Sequence, residues 1–138
     1  MKGRAVLLVE DSEDDALIVE RAFKVLKLPH DLTVCRTGEE AVRRFDKGGP
    51  KPDLVLLDLN LPGLSGLEVL RRVKGDPRTR GVPVVILSAS DRDVDVANAY
   101  DAGANHYVVK PLRFEAFVDL IRKWSEYWTQ LGKLPPRH

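Results

Sequence analysis

Apolar residues fall in five short blocks along the chain: Ala5–Glu10, Asp31–Arg36, Asp53–Asp58, Pro83–Ser88 and His106–Val109. The first, third and fourth are nearly continuous Val, Leu and Ile, the pattern of strands covered on both faces, as in a parallel sheet. The second and fifth are more polar, which predicts positions near a sheet edge. Helical segments lie between the blocks, and hydroxyl–acid pairs mark their starts. Ser12 precedes Asp15, Thr37 precedes Glu40, Ser65 precedes Glu68 and Ser90 precedes Asp93, each at capping-box spacing or a close variant. Gly103 falls where the fourth helix is expected to end.

Five strand–helix repeats predict an α/β fold: a five-stranded parallel sheet within a three-layer, doubly wound, flavodoxin-like sandwich of strand order 2-1-3-4-5. The last helix, about 114–131, carries Phe114, Phe117, Val118, Ile121, Trp124, Trp128 and Leu131 at three- and four-residue spacings, a core-facing stripe. Leu120 and Tyr127 widen its apolar surface. The tryptophan pair therefore reads either as core packing or as a partner surface. At 138 residues the chain suits one domain. The expected core is about 4–123, with an extended last helix and irregular tail over 124–138. Too few residues follow the fifth helix for a second folded unit.

Charge and composition narrow the functional classes. With 22 basic and 21 acidic residues, the chain lacks the charge excess of a non-specific nucleic-acid binder. No apolar run approaches the ~20 residues needed to cross a bilayer, and Met-Lys-Gly-Arg does not open a signal peptide. Cys35 is the only cysteine, which points to a reducing, cytoplasmic location and to a small core residue. His30, His106 and His138 show no metal-ligand spacing and are expected at the surface or in loops.

The chemistry gathers at the carboxyl ends of the predicted strands. Glu10-Asp11 follows the first, Asp58 closes the third, Ser88 closes the fourth and Lys110 follows the fifth. In an open parallel sheet these ends form one rim where ligands bind. With the first and third strands adjacent, three carboxylates crowd together and call for a cation. Oxygen-only ligands suit Mg²⁺ or Mn²⁺. Asp58 would be both ligand and nucleophile, Lys110 a point charge for phosphoryl oxygens, and Ser88 a hydrogen-bond donor to the product. Taken singly, each residue has a plain structural reading: a strand-end acid, a helix-start charge, a turn hydroxyl, a solvated lysine. Jointly these readings require coincidences at corresponding rim positions.

Leu7-Leu8-Val9-Glu10-Asp11-Ser12, Asp53-Leu54-Val55-Leu56-Leu57-Asp58-Leu59-Asn60-Leu61-Pro62-Gly63, Leu87-Ser88-Ala89 and Tyr107-Val108-Val109-Lys110-Pro111 resemble, in order, the motifs of bacterial response regulators. The resemblance covers about residues 4–123. It implies that Asp58 takes phosphate from a phosphohistidine on a sensor histidine kinase. It implies Mg²⁺ held by Asp11, Asp58 and the backbone carbonyl of Asn60, with Glu10 assisting through water. It implies a cis peptide before Pro111, a switch formed by Ser88 and Tyr107, and tuning of phosphate lifetime by Asn60 and Ser90. Glu10 departs from the commoner Asp, and Ser88 stands where Thr is also common.

A narrower resemblance, in residues 67–74, 76–79, 82–87 and the Trp124, Tyr127, Trp128 tail, is to the small regulators paired with bacterial phytochrome kinases. It implies a homodimer through the fourth helix, fifth strand and fifth helix. No direct DNA binding and no membrane association are expected.

Three rival readings are weaker. An aspartate-nucleophile phosphatase of the haloacid-dehalogenase type would place the nucleophile after the first strand, with a second acid two residues on, where this chain has Asn60. A nucleotide or flavin module would need a Gly-rich turn where Asp11-Ser12-Glu13-Asp14-Asp15 stands. A DNA-binding regulator would need a further domain. A phosphate sink or relay without its own output stays open.

Overall fold

The computed structural model describes residues 3–126 and realises all ten predicted elements. They run β1 (Ala5–Val9), α1 (Glu13–Val25), β2 (Asp31–Cys35), α2 (Gly38–Asp46), β3 (Leu54–Leu57), α3 (Gly66–Gly75), β4 (Val84–Ser88), α4 (Asp93–Asp101), β5 (His106–Val109) and α5 (Phe114–Glu126). The sheet is parallel, in order β2-β1-β3-β4-β5. β3 and β4 are buried along their whole length, whereas β2 and β5 alternate toward solvent as edge strands do.

Side-chain alternation divides the core into two layers. Val6, Leu8, Leu54, Leu56, Val85 and Leu87 face α1 and α5, meeting Val19, Phe23, Phe117 and Ile121. Leu7, Val9, Val55, Leu57, Val84 and Ile86 face the opposite way, onto Ala41 of α2, Leu70 and Val73 of α3 and Ala99 of α4. The stripe of α5 packs as predicted as far as Trp124, which lies half-buried against the first layer. Trp128, Leu131, Tyr127 and the tail lie outside the described residues.

Three of the four predicted caps form. The hydroxyls of Ser12, Thr37 and Ser65 accept from the backbone N–H groups of Asp15, Glu40 and Glu68. The fourth does not. Helix α4 starts after Arg92, and Ser90 Oγ instead donates to Asp95 Oδ2 at 2.5 Å, while accepting from Arg92 N–H. The charged acceptor in the first turn of the helix holds the hydroxyl, which meets the N–H of Arg92 just before the helix rather than one inside it. Gly103 follows α4 at φ +106°, the left-handed conformation expected of a helix-ending glycine.

His30 also departs from expectation. It is buried, its Nδ1 accepts from Arg4 N–H at 3.0 Å, and its ring meets Phe23 edge-on at 6.2 Å between centroids. The sequence offered no sign of this, because the residue lies in a loop and its partner is 26 positions away. His106 is exposed as expected, and His138 lies outside the described residues.

Candidate functional site

The carboxyl ends of β1 and β3 lie side by side, since Val9 pairs with Leu57 and Asp58 N–H donates to the Val9 carbonyl at 3.0 Å. Glu10, Asp11 and Asp58 therefore converge, each offering a carboxylate oxygen within 4.8 Å of the others. Glu10 and Asp58 are buried, at 1% and 6% exposure, and Asp11 opens to solvent. Asp58 Oδ1 accepts from Asn60 N–H at 3.2 Å, which turns the loop that follows the strand.

Lys110 reaches the same place from β5, whose end is tied to β4 by a 2.7 Å bond from Lys110 N–H to the Ser88 carbonyl. Its Nζ lies 2.6 Å from Glu10 Oε1, 2.8 Å from Asp15 Oδ2 and 3.8 Å from Asp58 Oδ2. The acid predicted only to assist is thus the buried partner of the lysine, and the ammonium stands off the central aspartate. Burial pushes the Glu10 carboxyl up to about 7; the lysine bond opposes this and the neighbouring Asp58 reinforces it. Burial alone would lower Lys110, but hydrogen bonds to Asp15 and Glu10, with the charge of Asp58, outweigh it and raise it.

This donor set fits a small divalent cation. The three carboxylates are all-oxygen ligands, two of them withdrawn from water, and only one ammonium, that of Lys110, stands beside them among the described residues. A cation of the Mg²⁺ or Mn²⁺ class supplies the missing positive charge.

Ser88 and Tyr107 lie beside this rim. Ser88 is wholly buried, and its Oγ accepts from Ser90 N–H at 3.1 Å. The Tyr107 ring is turned into the core, and its hydroxyl donates to the Ser90 carbonyl at 2.8 Å. Because Ser90 Oγ also bonds Asp95, the β4–α4 loop links Ser88, Tyr107 and the first turn of α4. The peptide before Pro111 is trans, not cis as the resemblance implied. Trans is the lower-energy isomer of a bond to proline by about 0.5–1 kcal/mol.

Two residues of the site were not singled out from the sequence. Asp15 entered only as the partner of the Ser12 cap and as part of the acidic run after Asp11, yet from the first turn of α1 its carboxylate meets Lys110 Nζ. Gly66 opens α3 so close to the acceptor loop that a Cβ there would lie 2.1 Å from the Asp58 carbonyl oxygen. A cavity of about 650 Å³ at the amino-terminal end of the sheet, lined by Val6, Phe45, Lys51 and Arg78 among others, includes none of the candidate residues.

Residues 6–122 match the family described as Response regulator receiver domain. The chain is 38% identical over 134 residues to the probable methanogenesis regulatory protein FilR2 of Methanothrix harundinacea, covering 94% of this chain and 86% of that one. It is 33% identical over 137 residues to response regulator Rcp1 of Synechocystis sp., covering 96% and 93%. Among solved structures it superimposes on the phosphorylated cyanobacterial phytochrome response regulator RcpA with a TM-score of 0.90, at 33% identity over 98% of this chain and all of that one. On the Mn²⁺-bound form of Rcp1 the TM-score is 0.86, at 33% identity over 96% and 99%. With the parallel sheet, the divalent-cation site and the ordered motifs, these likenesses make the chain a member of the response regulator receiver family, a phosphoacceptor domain.

Proposed function

We propose that Asp58 is the phosphoacceptor, taking a phosphoryl group from the phosphohistidine of a sensor histidine kinase. The observation that carries this is the convergence of Glu10 and Asp11, from the end of β1, and Lys110, from the end of β5, on Asp58 at the end of β3. Asp11, Asp58 and the Asn60 carbonyl hold Mg²⁺, with Glu10 at their side. A bound Mg²⁺ would supply charge neutralisation there. An Asp58 carboxylate oxygen attacks phosphorus, the bond from phosphorus to the kinase histidine nitrogen breaks and releases the imidazole, and Lys110 stabilises the transferred oxygens. The chain promotes its own phosphorylation and dephosphorylation, with no other substrate to turn over.

Ser88 and Tyr107 carry the signal outward. The hydroxyl of Ser88 moves from Ser90 N–H to the phosphoryl group, which shifts the loop that Tyr107 grips. Asn60 and Ser90, two residues beyond Asp58 and Ser88, set how long the phosphate survives. The output is a change in protein contacts at α4, β5 and α5, where Val94, Tyr100, Val109 and Leu112 are exposed. That face forms a homodimer. Likeness to RcpA and to the bacteriophytochrome response regulator RtBRR, 36% identical with a TM-score of 0.76, favours a phytochrome-type kinase in the cytoplasm as the donor.

Incubation with acetyl phosphate and Mg²⁺ tests the acceptor. Wild type gains the mass of one phosphate and Asp58→Asn gains none; equal labelling of the variant would overturn the assignment. Size exclusion of the same samples tests the dimer. An unchanged assembly state and unchanged kinase transfer, with and without phosphate, would remove the output surface from the proposal.

A further inference from the structure

Lys110 has three acidic neighbours, and they are not equivalent. Glu10 and Asp58 both belong to the carboxylate group that fits a divalent cation; Asp15 does not. Ammonium and metal therefore compete for the first two acids. Only the third remains with the lysine when a cation takes them. Asp15 is also well placed to hold on. Its backbone N–H is fixed by the Ser12 hydroxyl at 3.2 Å, and its carboxylate meets Nζ at 2.8 Å, a full 1.0 Å closer than Asp58 (3.8 Å less 2.8 Å).

We infer that Asp15 is a positioning residue for Lys110, retaining the ammonium on the α1 side of the site so that a divalent cation can occupy the acids around Asp58. Once Asp58 carries a phosphoryl group, its oxygens outbid Asp15 and the ammonium crosses to them. Asp15 thus favours the metal-loaded, unphosphorylated site and opposes the phosphorylated one. This second half rests on Asp58 as the acceptor; the first half does not.

The test is Mn²⁺ titration of the full chain, followed by electron paramagnetic resonance. Removing Asp15 as an anchor lets the lysine fall toward Glu10 and Asp58, where it repels the metal. Asp15→Asn should weaken Mn²⁺ binding by roughly fivefold, the upper scale of a solvent-screened ion pair. Asp14→Asn removes the same charge from the same exposed turn and should change binding less than about twofold. In a Lys110→Ala background the effect of Asp15→Asn should shrink to that of Asp14→Asn.

Equal losses in Asp14→Asn and Asp15→Asn, or an undiminished loss without Lys110, would show general charge rather than positioning and overturn the inference. At saturating Mg²⁺, Asp15→Asn should bind the phosphoryl mimic beryllofluoride more tightly than wild type; unchanged or weaker binding overturns the second half. Failure of the acceptor assignment would be separately visible, as phosphate or beryllofluoride uptake that survives Asp58→Asn.

Discussion

The two ends of the sheet bury the same kinds of polar group and use them differently. At the amino-terminal end Asp53 Oδ2 accepts from Ala5 N–H at 2.8 Å, and His30 accepts from Arg4 N–H. There, too, Lys74 Nζ donates to the carbonyls of Arg80 and Val82 and to Asn105 Oδ1. Asn105 Oδ1 also accepts from Val84 N–H, so one lysine and one amide staple α3 to the starts of β4 and β5. Backbone groups and neutral side chains are the partners here. At the carboxyl-terminal end the partners are other charged side chains, three carboxylates against one ammonium that none of them owns. The difference is one of reserve. Charge left unbalanced at one end can bind a cation and a phosphoryl group, whereas at the other end Asp53, His30 and Lys74 are held by neutral partners within the fold.

That contrast can be broken in order of effect. Asp58→Asn should abolish phosphoryl uptake altogether, yet raise the stability of the cation-free protein by about 1 kcal/mol, because it relieves the repulsion with Glu10. Chemical denaturation in chelator reads the second effect; a fall in stability would mean that Asp58 is a structural acid like Asp53. Lys74→Met should do the reverse, costing about 3 kcal/mol in the same assay as its acceptors lose a charged donor. Phosphoryl uptake per folded molecule should stay at the wild-type level.

Gly66→Ala tests the backbone of the acceptor loop at the carboxyl-terminal end. The added methyl would strike the Asp58 carbonyl, so we expect a cost of about 2 kcal/mol together with slower labelling by acetyl phosphate. A variant with wild-type labelling rate would show that the acceptor loop tolerates displacement.

The smallest effect concerns His30. Burial, and then the nearby Arg4 charge, lower its proton affinity from the usual 6.5, so the unfolded chain binds more protons than the folded one just below that pH. Stability should therefore fall as pH drops through 6.5 toward the lower folded value. The His30→Gln protein should show a flatter slope over the same window when melting is followed against pH; an identical slope would assign the acid sensitivity elsewhere.

Much of this protein is determined by the sequence alone. Alternation of apolar blocks with capped helical segments specifies the parallel sandwich, because strands buried on both faces need continuous apolar runs and helices need local caps. The rim residues Glu10, Asp11, Asp58, Ser88 and Lys110 are legible for the same reason: strand ends are local features, and a doubly wound fold brings them to one edge. What the tertiary structure decided are partnerships between distant residues. The preference of Lys110 for Glu10 and Asp15 over Asp58 depends on ångström differences between side chains 52 to 100 positions apart. The diversion of Ser90 to Asp95, the burial of His30 against Arg4 and the approach of Gly66 to the Asp58 carbonyl depend likewise on how packed elements meet. Periodicity and capping report the field within a few residues, whereas a buried charge selects its partner from whatever the completed fold brings within reach.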